Sequence, residues 1–512
     1  MKDEDLEILT SRLFNITWRF GKWYVFQYIL LLLTPYIWYN NIGKGLVILI
    51  ALYTLLYSIY WELLKSRKRI QYIYIPYFLY VILSIMCCIS WSEVFPSIFL
   101  SISIPTYGVF CVFLVKIIKK YIRKRTNSIS QKMVVITVII VSIILLKTIC
   151  VLWGCKSQGS LETEKKEIIQ RRDYLLEKNI TTPSNVLSTI PSGIGEQFQG
   201  EWALYSCSML SAALTNISNL YPETREDNLM YIDRLINIVM SPELRKYDMI
   251  RWSEDPLNSL EGNNSHVSYL SHLAWMISGY KKIGGNDKYD KLFSSLCECM
   301  NRRLLQSPGL NLATYPGEPI YVPDMLVAIV ALQQYSELNN GKYGSTVKQW
   351  LANAKKRWCD KETGLLVSFL EENGDQIKNA PIKGSYSALN CYYLTLIDKT
   401  FALDQYIKLK QHFWKDSIVS GLKEYHNKRC YIGIDIDAGP IIFELSPSGT
   451  AFAIGSASYF KDHDIRKKIL RTAEIAGHSI IWDNKRHYLL ANVALVGESI
   501  MLAMRTNLEM RK

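Results

Sequence analysis

The sequence predicts an all-α protein in two parts: a five-helix transmembrane N-terminal region, then a closed ring of helical hairpins, an (α/α)6 toroid or barrel. Three observations carry that prediction. Five apolar stretches occupy most of residues 1–153; amphipathic stretches of about fifteen to twenty residues then alternate with short polar connectors; and those connectors hold the residues that break helices. The expected domains are a membrane region, 1–153, a linker and first helix, 154–199, and the barrel, 200–512.

The apolar stretches run over 23–40, 45–64, 71–90, 95–118 and 134–153, each close to the ~20 residues a helix needs to cross hydrocarbon. The first carries Pro35, with Trp23, Tyr24, Trp38 and Tyr39 at its edges, as interfacial belts do. It lacks the short apolar run and small-residue end of a cleaved signal peptide, so it is expected to be retained. Lys and Arg resist translocation. The loop holding Lys65, Arg67, Lys68 and Arg69 and the one holding Lys119, Lys120, Arg123, Lys124 and Arg125 are therefore cytoplasmic. An odd number of spans then delivers the barrel to the other side. The expected location is a bacterial inner or plasma membrane, multi-pass, with the N-terminus cytoplasmic and the barrel periplasmic or extracellular. The spans lack the intramembrane charges of a transport path, apart from Lys116 and Lys147 near their ends.

Charge supports this topology and argues against nucleic acid as a partner. Of the net +13, residues 1–153 supply 17 Lys and Arg against 6 Asp and Glu, leaving the barrel nearly neutral. The basic excess is a topology signal that also suits anionic lipid heads. No CxxC pair or HExxH occurs and the 7 histidines show no ligand spacing, so neither a metal nor a cofactor is expected. Cys155 after the last span looks like a lipobox cysteine, but four earlier spans exclude lipoprotein processing.

Helices are expected over 202–219, 226–241, 266–282, 287–306, 324–338, 344–357, 385–397, 402–419, 449–461, 464–482 and 488–506, with a twelfth before residue 200. Breakers fall between them at Pro222, Pro242, Gly284, Gly285, Gly341 and Gly364. One β-like passage, Cys430 to Leu445, alternates Ile and Asp about a turn at Gly439 and Pro440. Six hairpins close into a toroid rather than an open solenoid, because no capping repeat or recurring consensus is present.

Three passages gather polar and aromatic residues where inner helices begin. They are Arg251 to Pro256 with Tyr269 to Leu273, the proline-rich run from Ala313 to Asp324, and Lys383 to Ser387. His272 on an apolar helix face is the candidate for proton transfer and Asp324, which also suits an N-cap, its acidic counterpart. Tyr315 and Tyr386 are candidate donors to a developing oxyanion or hydroxyl. Tyr205, Trp252, Asp255, Glu318 and Tyr321 are candidates for binding substrate, with Glu318 held on a stiff loop between Pro316 and Pro319. Asp435, Asp437 and Glu444 read as exposed loop carboxylates.

The order Trp252…Glu254-Asp255-Pro256, Tyr269-Leu270-Ser271-His272-Leu273, the proline-rich loop ending at Asp324, and Gly384-Ser385-Tyr386 resembles the linalool dehydratase/isomerase family over roughly residues 200–400. The resemblance implies an (α/α)6 barrel, cofactor-free acid/base chemistry on a small allylic alcohol, and a ring-shaped homo-oligomer. It places His272 on the family's active-site histidine, Tyr205 on a tyrosine of the first inner helix and Tyr386 on the pocket tyrosine. The family's two pocket cysteines correspond here to Tyr315 and Asp324, and its early acidic residue has no matching position, for which Glu196 or Glu201 could substitute.

Three functions fit these residues. The first is a membrane-anchored extracytoplasmic enzyme of lyase or isomerase type acting on a hydroxylated small molecule or lipid. The alternative is a carbohydrate-active epimerase, lyase or glycoside hydrolase on a surface or lipid-linked polysaccharide, whose sugar rings would stack on Trp252 and its neighbours. The third is a non-catalytic binding or assembly subunit. Each takes the lipid bilayer and a small molecule or glycan as partners.

Overall fold

The structure, a computed structural model, describes residues 155, 161–190 and 195–509, apart from 418, 428, 436, 478, 489–490 and 492–494. The chain divides into two units, Met1–Trp153 and Gly154–Lys512. The five expected spans lie outside the described residues. Among the described residues, no helix is long and apolar enough to cross a membrane.

The second unit is mostly helical. In chain order its helices are α1 (Leu161–Asn179), α2 (Pro183–Ser188), α3 (Glu196–Leu220), α4 (Arg225–Val239), α5 (Pro242–Trp252), α6 (Val267–Lys282), α7 (Asp290–Gln306), α8 (Val322–Leu338), α9 (Gly344–Arg357), α10 (Gly384–Thr395), α11 (Lys399–Phe413), α12 (Pro447–Tyr459), α13 (His463–Gly477) and α14 (Leu495–Thr506). Helices α3, α6, α8, α10, α12 and α14 each pack on the next, and α14 packs back on α3, closing an inner ring. Around it α4, α7, α9, α11, α13 and α1 form the outer layer, each against one or two inner helices. The twelfth helix expected before residue 200 is α1, which packs against both α14 and α3 and so covers the seam.

The inner helices are buried around most of their circumference, which explains their apolar composition. Outer helices such as α7 and α13 instead bury one stripe and expose the rest. The chain passes from inner to outer helix by short turns at one end, such as 396–398 between α10 and α11. It returns by long segments, 253–266, 307–321, 358–383 and 414–446, so these gather over the N-termini of the inner helices, where Ile320–Tyr321 (β1) pairs with Phe369–Leu370 (β2). That end carries the side chains with functional potential.

Three departures from the sequence reading have local causes, and one expectation holds with its turn shifted. Pro242 does not break a helix. It opens α5, with Ser241 accepting from the Leu244 backbone N–H as N-cap. Helix α11 stops at Phe413, where Trp414–Lys415 (β3) turns to pair with Gly421–Leu422 (β4). Helix α13 ends at Gly477, because Ser479–Trp482 (β7) pairs with Lys485–Tyr488 (β8) about Asp483 and Asn484, both at positive φ. The passage expected to be β-like forms a hairpin, Ile432–Asp435 (β5) with Gly439–Ile442 (β6), whose turn precedes Gly439.

Gly384 opens α10 against a neighbouring backbone: a Cβ there would lie 2.0 Å from the Lys423 carbonyl oxygen. Its N–H donates to the Glu424 carbonyl at 2.8 Å, so neither strand of this contact can retreat freely. Gly384→Ala is expected to lower stability by about 1–3 kcal/mol, the usual cost of overpacking. An unchanged melting temperature would show that the segment carrying Lys423 gives way easily.

Candidate functional site

Two inner helices, α3 and α6, present stripes of largely polar residues at helical spacing. On α3 the stripe runs Glu201, Tyr205, Ser208, Ala212, Asn216 and Asn219; on α6 it runs Ser268, His272, Trp275 and Gly279. The upper ends of these stripes meet the long loops.

Asp324 lies in the first turn of α8 and is buried. It is no N-cap, a place held by Tyr321. Both of its oxygens serve side chains: the Tyr205 hydroxyl donates to Oδ1 at 3.1 Å and the Thr314 hydroxyl to Oδ2 at 2.9 Å. Burial pushes its carboxyl up to about 6, although those two hydrogen bonds pull the other way. Glu201, one helical turn above Tyr205, is pushed up to about 8, by burial first and by the field of Asp324 second. A hydrogen bond from Tyr315 and the charge of Arg251 reduce this rise without cancelling it. Helix N-termini favour negative charge by only about 0.3–1 kcal/mol when exposed. Desolvation therefore wins at this end of the barrel.

A second layer surrounds the two carboxyls. Tyr315 is buried, its hydroxyl 3.4 Å from Ser268, which in turn lies 3.1 Å from the Tyr247 hydroxyl. The Arg251 guanidinium sits 4.2 Å from the Tyr315 ring centre and donates to Glu318 at 2.8 Å. Glu318 also accepts from the Tyr321 hydroxyl at 3.0 Å. The Tyr321 ring lies 6.2 Å from Tyr386, and Phe369 closes the same aromatic wall, 5.4 Å from each. Beyond Tyr386 the buried Lys383 donates to Asp435 at 2.8 Å and Asp437 at 2.6 Å. Burial also pushes the nearby Glu424 up to about 7, against hydrogen bonds from Ser385 and Ser446 and the charge of Lys383.

His272 lies below this layer. Its ring centre is 4.4 Å from that of Tyr205, Nδ1 is 2.8 Å from Ser208 Oγ, and Nε2 is buried with no partner among the described residues. Burial pushes the imidazole down to about 3, which keeps it neutral near neutral pH. Such a ring is a weak proton acceptor and a good support for Tyr205.

The structure thus brings Asp324, Tyr205, Tyr315, Glu318, Tyr321, Tyr386 and His272 to one end of the axis. Asp255 does not join them: it pairs with Arg245 at 2.7 Å and caps the Leu257 N–H at 3.0 Å, which stabilises its loop. Trp252 faces His266, 5.3 Å away, beside the buried Asp248–His266 contact of 2.5 Å, and serves the wall behind the site. Asp435 and Asp437 are no idle loop carboxylates, since they hold Lys383 and the field of Asp437 reaches Asp324.

Sequence reasoning undervalued Glu201, which its spacing of four from Tyr205 could have exposed. It missed Arg251 and Lys383 as site cations because their partners are 52 to 67 residues away in sequence. Among the described residues no group of His, Cys, Asp and Glu has a metal-holding arrangement, and Cys207, Cys297, Cys299, Cys359, Cys391 and Cys430 are free thiols.

A cavity of about 830 Å3 does not lie over the carboxyls but at the opposite end of the axis, among Ser211, Asn216, Asn219, Trp275, Gln334 and Tyr392. Ser208 lines it and bonds His272, so the His272–Tyr205 layer lies between the cavity and the acidic cluster.

No family model and no curated protein matches the chain. Among solved structures it is similar to an unsaturated glucuronyl hydrolase specific for heparin, with 12% identity and a TM-score of 0.45 over 69% of this chain and 96% of that one.

Proposed function

We propose that the barrel is a carbohydrate-active enzyme working by general acid/base catalysis at the Glu201–Asp324 pair. The observation that supports it most is the split of two adjacent carboxyls to either side of neutrality, about 8 for Glu201 and about 6 for Asp324. At pH 7 Glu201 keeps its proton and donates it to the leaving oxygen as the glycosidic bond breaks. Asp324, ionised, takes a proton from the attacking water or from a carbon acid. Tyr315 and Tyr386 donate hydrogen bonds to substrate hydroxyls, Arg251 and Glu318 fix the ring at the rim, and His272 holds Tyr205 in place. The allylic-alcohol chemistry implied by the resemblance needs one hydroxyl contact. The several donors, acceptors and aromatic rings around this pair suit a polyhydroxylated ring better. The apolar segments of residues 1–153 would tether the barrel outside a bacterial membrane, facing a surface or lipid-linked polysaccharide.

The pH profile tests the acid/base assignment. Asp324 must be ionised, so kcat/KM falls as pH drops through about 6; Glu201 must be protonated, so it falls again as pH rises through about 8. The two groups feel each other, and the limbs belong to the pair. Turnover of oligosaccharides with a bell between those limits is the expected result. Activity on terpenoid alcohols alone would overturn the carbohydrate reading, and a flat profile from pH 5 to about 9 would overturn the acid/base pair.

A further inference from the structure

All six inner helices end around the cavity at the far end of the axis. Helix α3 contributes Ser211 and Asn216, α6 Trp275, α8 Gln334, α10 Tyr392 and α12 Tyr459, and Asn507 follows the end of α14. Its volume of about 830 Å3 falls within the ~300–1,000 Å3 of small-molecule sites.

The chemistry of the wall narrows what can occupy this space. The Ser211 hydroxyl is buried without a partner among the described residues. Gln334 accepts from the Ser278 hydroxyl on its amide oxygen, which leaves the amide nitrogen to donate elsewhere. Asn216 donates to Thr506 at 3.4 Å and keeps its oxygen to accept. An apolar occupant would desolvate these groups and pair none of them. Ions fit no better. The charged side chains that line the cavity are paired, Lys282 with Glu337 at 3.1 Å and Lys399 with Glu509, which also meets Lys461 at 3.5 Å. No spare carboxylate is left for a cation among the described lining residues, and the carboxyl ends of six helices set partial negative charge against an anion. An uncharged molecule rich in hydroxyl groups meets all of these conditions, because hydroxyls donate to helix-end carbonyls and accept from amides. Trp275, Tyr392 and Tyr459 add aromatic surface for the C–H face of a ring.

We propose that this cavity binds a neutral sugar, at a site separate from the Glu201–Asp324 pair. The layer of Ser208, His272 and Tyr205 stands between the two. Binding here does not depend on the reaction assigned to that pair.

The test is equilibrium dialysis of the full chain, in a detergent without a sugar headgroup, against labelled cellobiose, N,N′-diacetylchitobiose and digalacturonate. Asp324→Asn is the background, so that no probe is consumed. The expected result is saturable binding of a neutral disaccharide, against which digalacturonate does not compete. Asn216→Leu should weaken it about tenfold or more. Ala212→Met, which narrows the cavity from a half-buried position on α3, should weaken it as well and keeps the test decisive if loss of the Thr506 contact destabilises Asn216→Leu. Neutral binding that neither variant changes, preferential binding of digalacturonate, or no binding would overturn the proposal. A second sugar equivalent per chain, insensitive to both variants, would belong to the acidic end. Its absence would count against the carbohydrate reading of that end and leave the cavity site standing.

Discussion

Asp324→Asn is expected to lower kcat by ~10²–10⁴ while leaving the barrel folded, because the Asn amide fills the same space, accepting from one hydroxyl and donating to the other, but cannot take a proton. The Tyr205 and Thr314 contacts at 3.1 and 2.9 Å are the ones the amide must reproduce. Glu201→Gln should lower turnover to a similar extent, with a second effect of opposite sign on stability. The folded protein holds the Glu201 proton up to about 8, against an unfolded value of 4.5, so wild-type stability falls as pH rises between those values. Gln carries no such penalty. The variant's melting temperature should therefore exceed that of wild type by a margin that grows from pH 5 to about 8. Both variants retaining activity would sink the assignment, and a Glu201→Gln variant of lower stability throughout would show that the carboxyl is ionised in the fold.

Arg171→Ala is expected to cost about 3–5 kcal/mol, because it leaves buried carboxylates without their partner. Arg171 on α1 donates to Glu498 on α14 at 2.5 Å, to Glu167 at 3.0 Å and to Ser479 on β7 at 2.6 Å. Arg505 on α14 reaches Glu167 at 2.6 Å, and Arg486 on β8 lies 3.4 Å from the same residue. Burial alone would raise Glu167, but Arg505 and Arg171 outweigh it and hold its carboxyl far below the usual range. This network ties the first outer helix, the last inner helix and the β7–β8 hairpin, where the ring closes. Thermal or denaturant unfolding measures the loss. A change under about 1 kcal/mol would show that the network is replaceable by solvent.

What is legible in the sequence depends on the range of each interaction. The inner helices were legible because their signal is local: apolar turns at helical spacing, with Gly or Pro where the chain reverses. The β7–β8 hairpin was not, since Ser-Ile-Ile-Trp continues the apolar rhythm of α13 and only the Asp483–Asn484 turn betrays it. Helix α5 was masked by reading Pro242 as a breaker, when a proline in the first helical turn lacks only an N–H that was unpaired already. Among site residues, Tyr315, Tyr321 and Asp324 stood out because the proline-rich loop between Ala313 and Asp324 cannot be helical. Asp255 stood out for the same local reason, and its neighbour Arg245 claimed it.

From sequence alone came the helical ring and the end of it where polar and titratable side chains gather, both read from composition and short-range spacing. Only the tertiary structure decided which carboxyls lie in one another's field. Glu201 and Asp324 are 123 residues apart in the chain, and their proton affinities follow from burial and mutual field on two neighbouring walls of one axis. The same holds for Lys383 between Asp435 and Asp437, and for the cavity at the far end of the axis. A residue's partners and its exposure to water are properties of the packed chain, and the electrostatics that make a carboxyl an acid or a base begin there.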